Sequence, residues 1–132
     1  MRSLTPRGEK QADRMAQWLD RQMPAGAKIL ASPTVRTEQT ARALGRKFKT
    51  SGVLGPLGTP QELLELVQWP LGKGCVLVVG HQPTLGQTIS QLLGLGAEEC
   101  SVKKGAVWWL RYRERETDGQ TLVVTVQSPD LL

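Results

Sequence analysis

The stretch VLVVGHQPTLGQT, Val76 to Thr88, decides how this chain is read. Four apolar residues run into Gly80, then comes His81, the only histidine in 132 residues, and then a proline at position 83. A continuous apolar run of this kind predicts a strand covered on both faces. Pro83 predicts the start of a helix, where a missing N–H costs nothing. A strand that feeds directly into a helix is half of a βαβ unit, and the sheet it implies is parallel.

Working outward, the same alternation recurs along the chain. Residues 8–23 place Ala12, Met15, Ala16, Leu19 and Met23 on one helical face, with charged residues filling most of the rest. Thr5 is the expected N-cap and Pro6 the first helical residue. AKILAS (27–32) reads as a strand, and a second helix over 34–48 carries Thr37, Ala41, Leu44 and Phe48 on one stripe. SGVLGPLGT (51–59) has room for a short strand and a loop, and PQELLELVQW begins a third helix at Pro60. A fourth helix is expected from Pro83 to about Leu93. AVWWLRYR and QTLVVTVQ are two final strands, and Asp118-Gly119 between them signals a hairpin turn. The pattern predicts one α/β domain over residues 1–132, a sandwich with a mostly parallel sheet.

Composition narrows the function. No window approaches the ~18 apolar residues of a membrane helix, and Met1 leads straight into polar residues, so no signal peptide, no membrane partner and a cytoplasmic location are expected. Cys75 and Cys100 are too few and too separated for a disulfide framework or a zinc site, which predicts free thiols. The charge balance, 17 basic against 12 acidic residues, favours acidic or phosphorylated partners. The basic residues are spread along helices with no aromatic interleave, so no nucleic-acid surface is expected. Lys103 and Lys104 read as a solvated turn, and the Trp108-Trp109 pair as packing on the two sides of a strand.

A second junction, LASPTVRTEQT (30–40), matches the first. Ser32 closes a strand and is placed to cap the next helix, Pro33 takes the first helical position, and Arg36 falls in the first turn. Free N–H groups and the positive end of the helix dipole suit an anion there, phosphate above all. An arginine supplies the planar fork that grips two phosphate oxygens. In open α/β sheets ligands bind along the carboxyl edge of the strands, so Arg36 and His81 can meet at one phosphoryl group. Each residue alone has a plainer reading: His81 as a structural hydrogen-bonding group, Arg36 as a solvated side chain or the partner of Glu38 or Glu9.

Taken jointly, SLTPRGEKQA, LASPTVRTEQTA, VLVVGHQPTLG and SVKKGAVWWL resemble, in order and spacing, the histidine phosphatase superfamily, and most nearly its small SixA-type phosphohistidine phosphatases. The resemblance runs from about Arg2 to the C-terminus. It implies a three-layer α/β/α fold of the phosphoglycerate-mutase-like kind, no metal and no cofactor, and a role in signal transduction. The expected partners are a phosphate ion and a phosphorylated protein such as a phosphohistidine-containing phosphotransfer domain, met by a monomer. Hydrolysis in the family runs through a phosphorylated histidine. Arg36 and His81 match family residues that hold the phosphoryl group, and Arg2 matches an arginine that touches substrate. The short segment VLGPLGTPQE leaves the site open and favours a protein substrate over a small enclosed metabolite.

One departure from the family is large. The family's first strand ends in Arg-His-Gly, whose histidine is the nucleophile and whose arginine binds the phosphoryl group. Neither matches a residue here, since Arg7-Gly8 lacks the histidine between. His81 corresponds to the family's second histidine, and the nucleophile has no counterpart in this chain. The family topology places that first strand inside the sheet, beside the strand ending at Gly80. The expectation is therefore an N-terminally truncated domain, inactive as it stands. A binding module for phosphate or phosphoprotein, and a phosphoesterase for small metabolites, are the alternatives.

Overall fold

The computed structural model describes residues 3–96, 98–114 and 119–132. In chain order the elements are α1 (Pro6–Gln22), β1 (Lys28–Ala31), α2 (Val35–Arg42), β2 (Lys49–Thr50), α3 (Pro60–Leu66), β3 (Val76–Val79), α4 (Thr84–Leu93), β4 (Val107–Arg113) and β5 (Gln120–Gln127), with short 3-10 turns at Gly52–Leu54 and Pro129–Leu131. The fold is α/β with a mostly parallel central sheet and four α-helices among the described residues.

The parallel sheet has strand order β2-β1-β3. From β1 the chain moves outward to β2, then returns past β1 to β3. Both crossovers are of the parallel kind, and such connections are right-handed, so reversing direction sends α2 and α3 to opposite faces. The packing agrees. α2 lies on α1, β1 and β3, while α3 lies on α4. On the first face, Ile29 and Ala31 of β1 stand in register with Leu77 and Val79 of β3. They pack with Met15, Ala16 and Leu19 of α1, with Met23 just past its end, and with Ala41 and Leu44, forming the main core. The apolar stripe of α1 is thus the lid of this face, and its start is fixed as expected: Thr5 caps it by accepting from the Gly8 N–H at 3.0 Å, with Pro6 next.

Several expectations change in detail. The second helix stops at Arg42, because Gly45 takes a left-handed φ of 68° and turns the chain. Leu44 and Phe48 still reach the core, through the turn instead of a helical stripe. The N-cap of α2 is Thr34, whose side chain accepts from the Thr37 N–H; Ser32 does not cap, and Pro33 stands outside the helix. The segment after β2 forms a 3-10 turn. α3 begins at Pro60 with a full capping box between Thr59 and Glu62. Cys75 and Cys100 are free thiols, and burial pushes the Cys75 thiol up against the opposing pull of Arg46.

The largest correction concerns β3. All four residues of Val76–Val79 are only half-buried, where cover on both faces was expected. β3 pairs with β1 on one side, and among the described residues no strand pairs with its other edge. β4 and β5 form a separate antiparallel pair with a bulge at Val124, and β4 likewise has one unpaired edge. Val107 of β4 nevertheless packs on the same core as Leu77 and Val79. The Asp118 half of the expected hairpin turn lies outside the described residues.

The α1 lid is the load on this core, and Leu19 is 6% exposed within it. Leu19→Ala should therefore lower unfolding stability by about 2–5 kcal/mol. Urea unfolding followed by circular dichroism measures it; a loss below about 1 kcal/mol would mean that α1 is not seated as described.

Candidate phosphate site

The reversal of chain direction sets the site. β1 and β3 are neighbours, yet the segments leaving them run to opposite faces of the sheet. This is the switch point at which open α/β sheets form a crevice beyond their carboxyl ends. The ladder between the two strands continues to that edge, where the Ser32 N–H donates to the Val79 carbonyl at 2.9 Å. Ser32 is completely buried. Its side chain meets Nε2 of His81 at 2.8 Å, closing the crevice floor between the two junctions.

Two observations describe the electrostatics. Arg36 is exposed and has no acceptor for its guanidinium among the described residues; Glu38, a candidate partner, pairs with Arg42 at 3.5 Å instead. Arg36 is also close enough to act on His81. Burial, and secondly the positive charge of Arg36, hold the imidazole below its usual 6.5. The sign follows. The unfolded chain takes up this proton first as pH falls, so the contribution of His81 to stability is present above about 6.5 and shrinks as pH drops through the folded value.

The two helix starts differ in what they offer. At α2, Thr34 takes up the Thr37 and Glu38 N–H groups, and those of Val35 and Arg36 have no partner among the described residues. Thr37 is held in turn, its hydroxyl donating to the Ser32 carbonyl at 2.6 Å. At α4 most of the first N–H groups are already used: Leu85 donates to the His81 carbonyl at 3.1 Å and Gly86 to the Gln82 side chain at 3.0 Å. The pole with open N–H groups is therefore that of α2, with Arg36 on it, while His81 stands in the loop before α4. A Cβ at Gly80 would meet only side chains, Leu85 at 3.4 Å and Val78 at 3.9 Å, so packing within the chain does not demand glycine there. Gly86 is the tight position, because a Cβ there would strike the Cys100 carbonyl.

Ser32 and Gln82 are the site residues that sequence reasoning missed or misassigned. A buried serine at a strand end reads as a cap from sequence alone, and its cross-strand partner 49 positions away has no local signal. The short loop past β2 borders the same edge: Thr84 at the start of α4 donates to the Gly58 carbonyl at 3.0 Å. Arg2, the further expected substrate contact, lies outside the described residues. Among those described, no cluster of three His, Cys, Asp or Glu could hold a metal ion, and no helix is long and apolar enough to cross a membrane.

Comparison with known proteins bears on this geometry. A profile of the histidine phosphatase superfamily (branch 1) matches residues 2–57, the span holding Arg36. A phosphohistidine phosphatase SixA homolog of Haemophilus influenzae is 28% identical over 108 residues, a match spanning 70% of this chain and 66% of that protein. Among solved structures, the protein histidine phosphatase SixA complexed with tungstate superposes with a TM-score of 0.79 at 25% identity, over 99% of this chain and 86% of the other. A SixA-type protein from Nakamurella multipartita, described as a putative phosphohistidine phosphatase, gives 0.76 at 28% identity, over 97% and 85%. Profile, relatives and junction motifs agree in what the chain is similar to: the histidine phosphatase superfamily and, within it, SixA-type proteins.

Proposed function

We propose that these residues form the phosphoryl-binding half of a phosphohistidine phosphatase acting on phosphorylated protein. The observation that carries the reading is the meeting of an unpaired Arg36, free α2 N–H groups and His81 at one sheet edge. A solved relative that binds tungstate, a tetrahedral oxyanion like phosphate, supports it. In the reaction, a histidine nitrogen attacks phosphorus in line, the N–P bond to the substrate breaks, and water then cleaves the new phosphohistidine. Arg36 takes two equatorial oxygens and His81 donates to the same group. His81 is the only histidine in the sequence, so a second histidine acting as nucleophile would have to come from outside these 132 residues. The two unpaired edges, of β3 and β4, are where a strand carrying it would fit. The same single histidine favours a second reading, a module that binds phosphate or phosphoprotein without turning it over.

Anion binding is the direct test of both readings. Sulfate should bind, and Arg36→Ala should weaken it about tenfold or more, the worth of a charge-assisted hydrogen bond. Arg36→Lys should also weaken it, because an ammonium cannot make the paired contact. Calorimetry that finds equal affinity in Arg36→Ala overturns the site.

Sulfate keeps its charge between pH 8 and pH 5, so any change in affinity over that range reports on the protein. A bound anion favours the imidazolium, and the free site holds His81 below 6.5. Affinity should therefore rise as pH falls through that depressed value and level off below it. His81→Ala should flatten the profile; a persistent slope in that variant would assign the titration to another group.

Extending the chain upstream with a strand ending in Arg-His-Gly should stabilise it and confer turnover of phosphohistidine, whereas the 132-residue chain should show none. Interior backbone groups without partners cost about 1–3 kcal/mol each, against a domain stability of only about 5–15 kcal/mol. Equal urea midpoints and slopes for the two chains would mean that no strand seats between β3 and β4. Turnover by the short chain, abolished in His81→Ala, would make His81 the nucleophile and reverse its assigned role.

A further inference from the structure

The Ser32–His81 contact has a directional content that hydrogen-bond accounting can extract. The serine hydroxyl has one proton to give, and the neutral imidazole has one N–H, on either nitrogen. Two arrangements satisfy a 2.8 Å contact at Nε2. Either the serine donates to a bare Nε2 and the ring proton sits on Nδ1, or Nε2–H donates to the serine oxygen. In the second case the serine proton needs another acceptor. Among the described residues Oγ of Ser32 has no partner other than His81, and Ser32 is 0% exposed, so water cannot serve. That arrangement strands a buried donor, which folded proteins avoid. The first arrangement leaves nothing unpaired on the serine, and it frees the ring proton on Nδ1, which has no partner among the described residues.

We propose that Ser32 is a positioning residue: its hydroxyl donates to Nε2 of His81, fixes the neutral ring in the Nδ1–H form, and so makes Nδ1–H the donor offered to a phosphoryl oxygen. The inference rests on the phosphate-site reading for its last step only. The tautomer itself follows from burial and hydrogen-bond count. The backbone holds Ser32 firmly for the task, with its N–H on the Val79 carbonyl and its own carbonyl accepting from Thr37. The ring is thereby tied from β1 while its backbone belongs to the β3–α4 loop, so both junctions fix one nitrogen. The depressed proton affinity of His81 keeps the ring neutral near pH 7, the state in which a tautomer choice exists.

A single histidine makes the test unambiguous. In 15N-labelled chain at pH 8, long-range proton–nitrogen correlation gives each ring nitrogen a separate shift, far upfield when it carries hydrogen and far downfield when bare, so the tautomer is read directly. The expected result is a protonated Nδ1 and a bare Nε2 in the parent chain. Ser32→Ala, checked for an intact amide spectrum, should return the ring to a mixture or to the Nε2–H form and weaken sulfate binding several-fold. A parent chain that already shows Nε2–H overturns the proposal without any variant, and so does an unchanged tautomer in folded Ser32→Ala. Sulfate is then titrated into the parent chain, and Nδ1–H should shift with occupancy. Nitrogens that stay put while calorimetry records binding overturn the donor role of Nδ1–H. Absence of any binding overturns the phosphate-site reading itself, whereas the tautomer is read with no anion present.

Discussion

The parallel pairing of β1 with β3 is the constraint on which the remainder hangs. It aligns Ile29 and Ala31 with Leu77 and Val79, and those four residues are the floor on which α1 and α2 settle. It also makes two strands that are 45 or more residues apart end at the same level, so Ser32 and His81 become neighbours. Core and site therefore share one cause. A register shift of one residue would turn the apolar floor outward and separate the two junctions together.

Much of this was legible because the signals were local. The α1 stripe, its Thr5 cap, the Thr59–Pro60 start of α3 and the run into Gly80 each depend on residues within one or two turns. Arg36 was legible for the same reason, as a first-turn cation at a helix that follows a strand. What escaped was set by distant partners or by competition. Ser32 has the chemistry of a cap, but Thr34 is better placed for that task and the serine is drawn to His81 across the sheet. At α4 the Gln82 side chain folds back on the helix start and takes the Gly86 N–H, a partner four residues away that sequence reading did not assign. The second helix carried its apolar spacing as far as Phe48, and one left-handed glycine shortened it without removing Leu44 from the core.

The cover of β3 was misjudged for a different reason. An apolar run states what a strand would bury, and says nothing about whether the neighbour that buries it is present. Val76–Val79 have the composition of a central strand and the surroundings of an edge one. β4 is in the same position, with Val107 committed to the core and one side of its ladder unmatched among the described residues.

Edges of that kind do not distinguish between donors. An apolar strand with free N–H and C=O groups pairs with whatever extended backbone reaches it, and β5 carries Val123 and Val126 at 45% and 43% exposure. In a dilute solution the nearest such backbone is the chain's own. In a concentrated one it belongs to another molecule, and exchange of strands between copies becomes the competing assembly. Protein concentration thus enters as a variable of state for this fold, alongside pH and anion.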